Sequence, residues 1–379
     1  MKKRMKSLDI LRGITIAGMI LVNTPGTWSH IYAPLAHSEW HGMTPTDMVF
    51  PLFMFMMGVS MYISLKKYNF KLHRDLLVKI VKRTFLIFII GTALYALGGF
   101  MYRLNAAFHQ EGLAESPWVV ALNSFENLRI LGVLQRLALC YGIGSLVVCT
   151  IRWRFLPYLA GVLLVGYYFL LVCCNGFVYG PENILSVVDL HILGVNHIYN
   201  DHGIDPEGIL STIPSIAHVL IGFCIGKVCI EVKDAAQKMN RLFLYGFLLV
   251  LAGFLLDDLC PLNKKIWSPT YVLVSCGLSS SLLAVLYWCI DVKQNQRWIV
   301  PFEVFGVNSL FSYVLSQFLC ILFDTLPWTG TSIHGGIYGL LQAGFGDNEF
   351  SSLLYALIFV TVIWLMSYIL YRKKIYIKL

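Results

Sequence analysis

Runs of about twenty apolar residues, separated by shorter polar stretches, repeat along the whole 379-residue chain. Crossing a hydrocarbon core about 30 Å thick takes about 20 helical residues. Ten runs meet that length, near 9–25, 48–65, 82–100, 130–150, 155–175, 210–230, 242–257, 270–290, 302–323 and 352–371. The pattern predicts an all-α, polytopic integral membrane protein of about ten transmembrane helices, folded as one domain over 1–379. An even number of spans leaves both termini on the same side.

Composition agrees with the pattern: 57% of the residues are hydrophobic and 13% charged, against about 25% charged in soluble domains. Charge then chooses the side. With the N-terminus in the cytoplasm, 24 of the 29 Lys and Arg fall on the cytoplasmic side; Arg103, Arg129, Lys264 and Lys265 lie outside and Arg136 lies within a span. Of the 21 acids, 15 lie outside. This is the positive-inside distribution, and it places both termini in the cytoplasm. The net charge of +8 therefore reflects loop orientation, and no basic, aromatic-interleaved soluble segment is present to bind nucleic acid. The ten cysteines lie mostly inside spans without metal-type spacing, as small packing hydrophobes do.

The long polar segments, 26–47, 101–129, 176–209 and 324–351, all face outward on this topology, and function concentrates in such loops. The first ends in His37-Ser38-Glu39-Trp40-His41-Gly42-Met43-Thr44-Pro45-Thr46-Asp47, directly before an apolar span. A group that titrates near neutral pH, set at a membrane boundary, suits proton transfer or nucleophilic catalysis. His37 is the candidate; Glu39, Asp47 or Asn23 could orient it, and Asn23 could instead donate to an oxyanion. Asp47 also suits a helix N-cap. Arg136, beside Gln135 and about seven residues into the fourth span, needs an anion, whether an interior carboxylate or part of a substrate. The third outer segment carries Asp189, His191, Asn196, His197, Asn200, Asp201, His202, Asp205 and Glu207. These lack a familiar metal-ligand pattern, so no metal is expected; a polyhydroxylated or cationic ligand fits them better. Asn263, Lys264 and Trp267 add donors and an aromatic wall, although an interfacial Trp also serves as an anchor. On the inner side, basic residues including Lys66, Lys79 and Arg83 are placed to receive phosphates.

Ser7-Leu8-Asp9-Ile10-Leu11-Arg12-Gly13, Met19 to Asn23, His37 to Gly42, Asp47 and Val49-Phe50-Pro51 resemble the heparan-α-glucosaminide N-acetyltransferase family and its bacterial relatives. Leu134-Gln135-Arg136, Asp205-Pro206-Glu207-Gly208, Asn263-Lys264 with Trp267, and Gly306-Val307-Asn308-Ser309 extend the resemblance over most of the chain. It implies a transferase of the bacterial inner membrane, moving an acetyl group from cytosolic acetyl-CoA to the amine of a glucosamine-type sugar outside. It also suggests a homodimer. The family's active-site histidine falls on His37 and its nearby asparagine on Asn23. On that reading Asp47 or Glu39 orients His37, and Arg12, Gln135 and Arg136 line the donor route. Asp205, Glu207, Asn263, Lys264, Trp267 and Trp40 face the acceptor. Two departures stand out: the animal enzymes carry an additional soluble region before the first span and generally have Asn at the position of His41. An amino-sugar permease or exporter component without covalent chemistry is the alternative.

Overall fold

The computed structural model of the protein describes residues 5–110, 115–199, 201–328 and 331–377. Asn200, one of the polar residues of the third outer segment, lies outside the described residues.

The ten apolar runs all fold as helix. In chain order the helices are α1 (Lys6–Asn23), α2 (Val49–Lys66), α3 (Arg74–His109), α4 (Pro117–Leu122), α5 (Val133–Thr150), α6 (Leu156–Cys173) and α7 (Ile184–Ile192). Then come α8 (Thr212–Glu231), α9 (Ala235–Leu255), α10 (Pro269–Leu286), α11 (Val300–Val307), α12 (Ser309–Thr325), α13 (Ile333–Phe345) and α14 (Glu349–Arg372). A two-residue antiparallel ladder, β1 (Pro327–Trp328) with β2 (Thr331–Ser332), is the described strand pairing. Among the described residues, eight helices are long and apolar enough to cross a membrane: α2, α3, α5, α6, α8, α9, α10 and α14. The pair α11–α12, bent by 88°, makes a ninth if counted as one span.

The expected tenth span, α1, is set apart by charge. Lys6, Asp9 and Arg12 lie in its first two turns, and the helix is central, packed against α2, α11, α12 and α14. Its polar groups find partners inside the protein. Arg12 Nη1 lies 3.3 Å from Asp9 Oδ1, and Nη2 donates to Ser60 Oγ at 2.8 Å. The Lys6 and Ser7 backbone N–H groups donate to the Asp291 carboxylate at 3.0 and 3.1 Å, satisfying donors that a helix start leaves open. A charge-bearing helix is tolerated here because neighbouring helices, not lipid, surround it.

The expected continuous span at 302–323 is interrupted. Asn308 has φ −124° and ψ 41°, which ends α11, and its side-chain amide bonds the tail: Nδ2 donates to the Ile375 carbonyl and Oδ1 accepts from Ile377 N–H, both at 2.9 Å. Eight-residue α11 lies directly on α1. A Cβ on Gly306 would sit 1.9 Å from the Asp9 carbonyl oxygen, and one on Gly13 would sit 1.8 Å from that of Phe302. Only glycine permits this approach.

The connections sort into two groups that bond within themselves. At one end, Lys6 Nζ donates to Gln296 Oε1 at 2.7 Å and Lys66 pairs with Glu231 at 3.3 Å. At the other end, backbone bonds join Gly26 to Ser352, Gly42 to Leu262 and Ile130 to His197 at 2.8–3.1 Å. These are the sets the charge distribution assigned to inner and outer faces.

Candidate active site

Pro45 opens a single 3-10 turn, Thr46–Met48, that runs into α2 and turns Asp47 inward. The Asp47 side chain is 1% exposed, yet each oxygen is engaged. Oδ2 accepts from Ser38 N–H (3.1 Å), Thr44 N–H (3.0 Å) and the Thr44 hydroxyl (3.1 Å). Oδ1 lies 2.7 Å from His37 Nδ1 and 3.3 Å from Lys264 Nζ. Tyr271 of α10 donates to the Asp47 carbonyl at 2.6 Å. The loop is thereby folded around its carboxylate; Asp47 orients the loop and His37 and does not cap the helix, since neither the 3-10 turn nor α2 has a side-chain cap.

Lys264 Nζ also lies 3.0 Å from His37 Nδ1. That nitrogen cannot donate to Asp47 and accept from Lys264 together. The shorter contact to a buried carboxylate selects the Nδ1–H tautomer, and Lys264 then neutralises Asp47. His37 is 40% exposed, and its Nε2 makes no hydrogen bond among the described residues. The arrangement is an imidazole oriented from behind and open in front. Glu39 is exposed and joins no ion pair among the described residues, so of the two carboxylates it is Asp47 that holds the ring. Asn23, the half-buried last residue of α1, makes no hydrogen bond to His37 among the described residues. His41 packs its ring 5.8 Å from Trp40; burial pulls its imidazole below the ordinary value, partly offset by Asp257. Trp40 donates to the Phe177 carbonyl at 3.0 Å and stacks on Tyr179 at 4.5 Å.

Asp205 and Glu207 meet a residue that the sequence reading counted only as an outside charge. Arg129 Nη2 lies 2.6 Å from Asp205 Oδ1 and 2.7 Å from Glu207 Oε2, while Nη1 bonds Tyr95 OH at 3.1 Å. Asp205 is fully buried and also accepts from Tyr199 and Glu207 N–H. Burial pushes the Glu207 carboxyl up, but Arg129 and Arg136 outweigh it and hold it below the usual range. Burial lowers the Lys264 ammonium, against the opposing pull of Asp47 and Glu207. Asp47, Lys264, Glu207, Arg129 and Arg136 thus form one electrostatic network behind His37. Asp189 of α7 accepts from Ile209 N–H at 2.8 Å, and burial pushes its carboxyl up to about 6.

Arg136 lies in the first turn of α5, shallower than seven residues, because Gly132 is extended beside Tyr95 and the helix begins only at Val133. It is fully buried, donates to Ser211 Oγ and the Gly208 carbonyl, and sits 5.3 Å over the Trp267 ring. Trp267 adopts φ +54°, a left-handed conformation that a bulky side chain keeps only where its surroundings impose it. Asn263 Oδ1 caps the same turn through Ile266 N–H at 3.1 Å. Among the described residues, Arg136 Nε and Nη1, Asn263 Nδ2 and Trp267 Nε1 are buried donors without acceptors. Unpaired buried donors are costly and ask for a ligand or water.

Two cavities lie along α3, α5 and α12, the first of them walled also by α1 and α2. One, of about 230 Å3, is lined by Arg12, Ser60, Ser64, Arg83, Tyr141 and Ser309 toward the basic end. Arg83 Nε is buried without an acceptor, and its guanidinium sits 4.6 Å over Tyr141. The other, of about 280 Å3, is lined by Tyr95, Tyr102, Gln135, Tyr313 and Gln317; Gln135 Nε2 reaches Thr92 Oγ1 at 3.4 Å. Beside it, both ring nitrogens of His334 face acceptors: Asp324 Oδ1 at 2.7 Å and the Gly26 carbonyl at 3.0 Å.

Residues 4–255 match the catalytic family of heparan-alpha-glucosaminide N-acetyltransferase. The chain belongs to that family. It is 28% identical to the mouse (Mus musculus) heparan-alpha-glucosaminide N-acetyltransferase over 443 positions, covering 99% of this chain and 60% of the relative. The human (Homo sapiens) heparan-alpha-glucosaminide N-acetyltransferase gives 28% over 446 positions with the same coverage. The chain thus spans about 60% of the length of the curated relatives it matches. Within the family match lie His37, Asp47, Arg129, Asp205 and Glu207, whereas Lys264 and Trp267 lie beyond it.

Of the residues singled out in the sequence, the structure brings His37, Asp47 and Lys264 into contact and joins Arg136 to Trp267. Arg129 escaped notice because nothing local marks it; its carboxylates lie 76 and 78 residues away. The signal available was that Arg129 is one of only four basic residues on an otherwise acidic outer face.

Proposed function

We propose that the protein is a multi-pass membrane acetyltransferase that uses acetyl-CoA and acylates an amine of a glucosamine-type sugar at the outer face of a bacterial inner membrane. The observation that carries this reading is the imidazole of His37, fixed through Nδ1 by a buried carboxylate and open at Nε2. His37 Nε2 takes a proton from the acceptor amine as its nitrogen attacks the thioester carbonyl. The C–S bond breaks, and the departing thiolate receives that proton to leave as free CoA thiol. Asp47 stabilises the imidazolium that forms in between. Asn23 and the unpartnered donors of Arg136, Asn263 and Trp267 are candidates to bind the developing oxyanion.

Arg12 and Arg83 suit the phosphates of the donor, because both guanidinium groups line one cavity at the basic end and Arg83 keeps an unpaired donor. The pantetheine arm then passes along α3, α5 and α12, past Gln135. Trp40, stacked on Tyr179, and exposed Glu39 suit the acceptor's ring and ammonium. Asp205 and Glu207 act through Arg129, as positioning residues.

The test is release of free CoA from acetyl-CoA by purified protein, with and without glucosamine. The wild type is expected to release it only with the amine. His37→Ala loses about 10²-fold or more and Asn23→Ala about 10²–10³-fold, whereas His41→Ala loses far less. A His37→Ala protein that transfers at near wild-type rate refutes the mechanism and favours a permease.

A further inference from the structure

A third cavity, remote from His37, opens among α6, α8 and α9 and has a volume of about 680 Å3, within the range of about 300–1,000 Å3 typical of ligand sites. Its long axis is apolar, with Leu164 on α6, Leu248 and Leu249 on α9, and Val228 on α8 along it. Helices α6 and α9 otherwise expose large apolar side chains such as Val162, Phe169 and Phe247, as lipid-facing helices do. The groove is therefore walled by bilayer-facing elements and floored by the bundle.

One end is strongly cationic. Lys227 and Arg241 line it, Arg154 stands 5.7 Å over Trp153 at the same mouth, and Lys227 Nζ lies over that indole. Among the described residues lining it, the one carboxylate, Glu231, is already shared by Tyr62, Lys66 and Lys227. Arg241 is exposed and has no acidic partner among the described residues. An apolar trough with basic groups in excess of carboxylate at one end, Arg241 among them, has the chemistry of an acyl chain below an anionic headgroup. A soluble anion has no use for the trough, and a zwitterionic headgroup has little for the excess charge. At Gly161 in the groove wall, an added Cβ meets nothing within 4 Å, so the space is real and fillable.

We infer that this groove binds one anionic phospholipid of the leaflet at the basic end, its phosphate held by Arg241 and Lys227 and an acyl chain along α6 and α9.

Native mass spectrometry of the full-length protein in detergent, titrated separately with dioleoylphosphatidylglycerol, dioleoylphosphatidylcholine and glycerol phosphate, tests this. The expected result is one retained phosphatidylglycerol, with weaker phosphatidylcholine and no retained glycerol phosphate. Arg241→Gln lowers phosphatidylglycerol affinity about fivefold, the effect of one basic group at a membrane surface. Gly161→Leu abolishes retention while leaving the lipid-free melting temperature unchanged, because its side chain enters empty space. Equal retention of both lipids, or full retention by Gly161→Leu, overturns the inference. So does a wild-type dimer that Gly161→Leu converts to monomer without any lipid bound, which would show a second copy in the groove.

Discussion

At the scale of the residue, the informative contact is the 2.7 Å between His37 Nδ1 and Asp47 Oδ1, since it decides which ring nitrogen is available. Asp47→Asn keeps the size of the side chain but presents either an amide N–H or a weaker acceptor to Nδ1. With Lys264 also a donor there, Nδ1 becomes the accepting nitrogen and the proton moves to Nε2. We expect transfer to fall by about 10²–10⁴-fold with donor affinity unchanged, read from initial rates and acetyl-CoA binding side by side. His334 is the opposite case, an imidazole with acceptors on both nitrogens, which requires both protons. Asp324 raises its pKa, with burial opposing and Gly26 assisting; Tyr102 shares the same carboxylate at 2.6 Å, Cys320 Sγ lies 3.7 Å away and Tyr355 stacks on the ring at 4.5 Å. Because the folded value lies above the ordinary 6.5, the stabilisation is fully present below about that pH and is lost as pH rises through the raised value. Melting temperature measured from pH 6 to 9 should fall in the wild type relative to His334→Gln. Parallel curves for the two proteins would remove the imidazolium from the account.

At the scale of the element, the crossing of α1 with α11 rests on two glycines whose Cβ positions coincide with facing carbonyl oxygens. Gly306→Ala must push α11 off α1, and overpacking of this kind destabilises by about 1–3 kcal/mol; a lowered melting temperature with a smaller effect for Gly161→Ala checks it. This crossing also shows where sequence reading stops. Apolar runs mark helices because hydrocarbon demands internally satisfied backbone, so all ten were legible. The break at Asn308 was not, because Phe302 to Phe323 reads as one apolar run and the tail residues that bond Asn308 lie 67 and 69 positions away. Likewise Asp47 was one of three groups near His37 that the sequence offered to orient it, while the clamp of Arg129 on Asp205 and Glu207 is visible only once α3, α5 and the loop before α8 are assembled. Local chemistry is written locally; ion pairs between connections are not. The charge on α1 carried a hint of its central position, since Lys6, Asp9 and Arg12 suit protein surroundings better than lipid.

At the scale of the whole molecule, two sets of connections bond among themselves, and we propose that the basic set is cytoplasmic and the set bearing His37 is external. On a background lacking the ten cysteines, Lys71→Cys should be labelled by a membrane-impermeant maleimide only after permeabilisation, and Val195→Cys in intact cells; the reverse pattern would invert the orientation. The same assembly has a consequence in time. Lys264, which neutralises Asp47, follows His37 by 227 residues. At about 5–20 residues per second, about 10–45 s of synthesis separate them. For most of that interval α2 exists while the carboxylate just before it, Asp47, lacks its cation, and an ionised group is costly to bury unpaired. The loop from His37 to Asp47 must therefore wait, protonated or in water, until the connection before α10 emerges. The pair of His37 and Asp47 is among the first parts of this chain to be synthesised, yet its cation arrives only after α8 and α9 have been made.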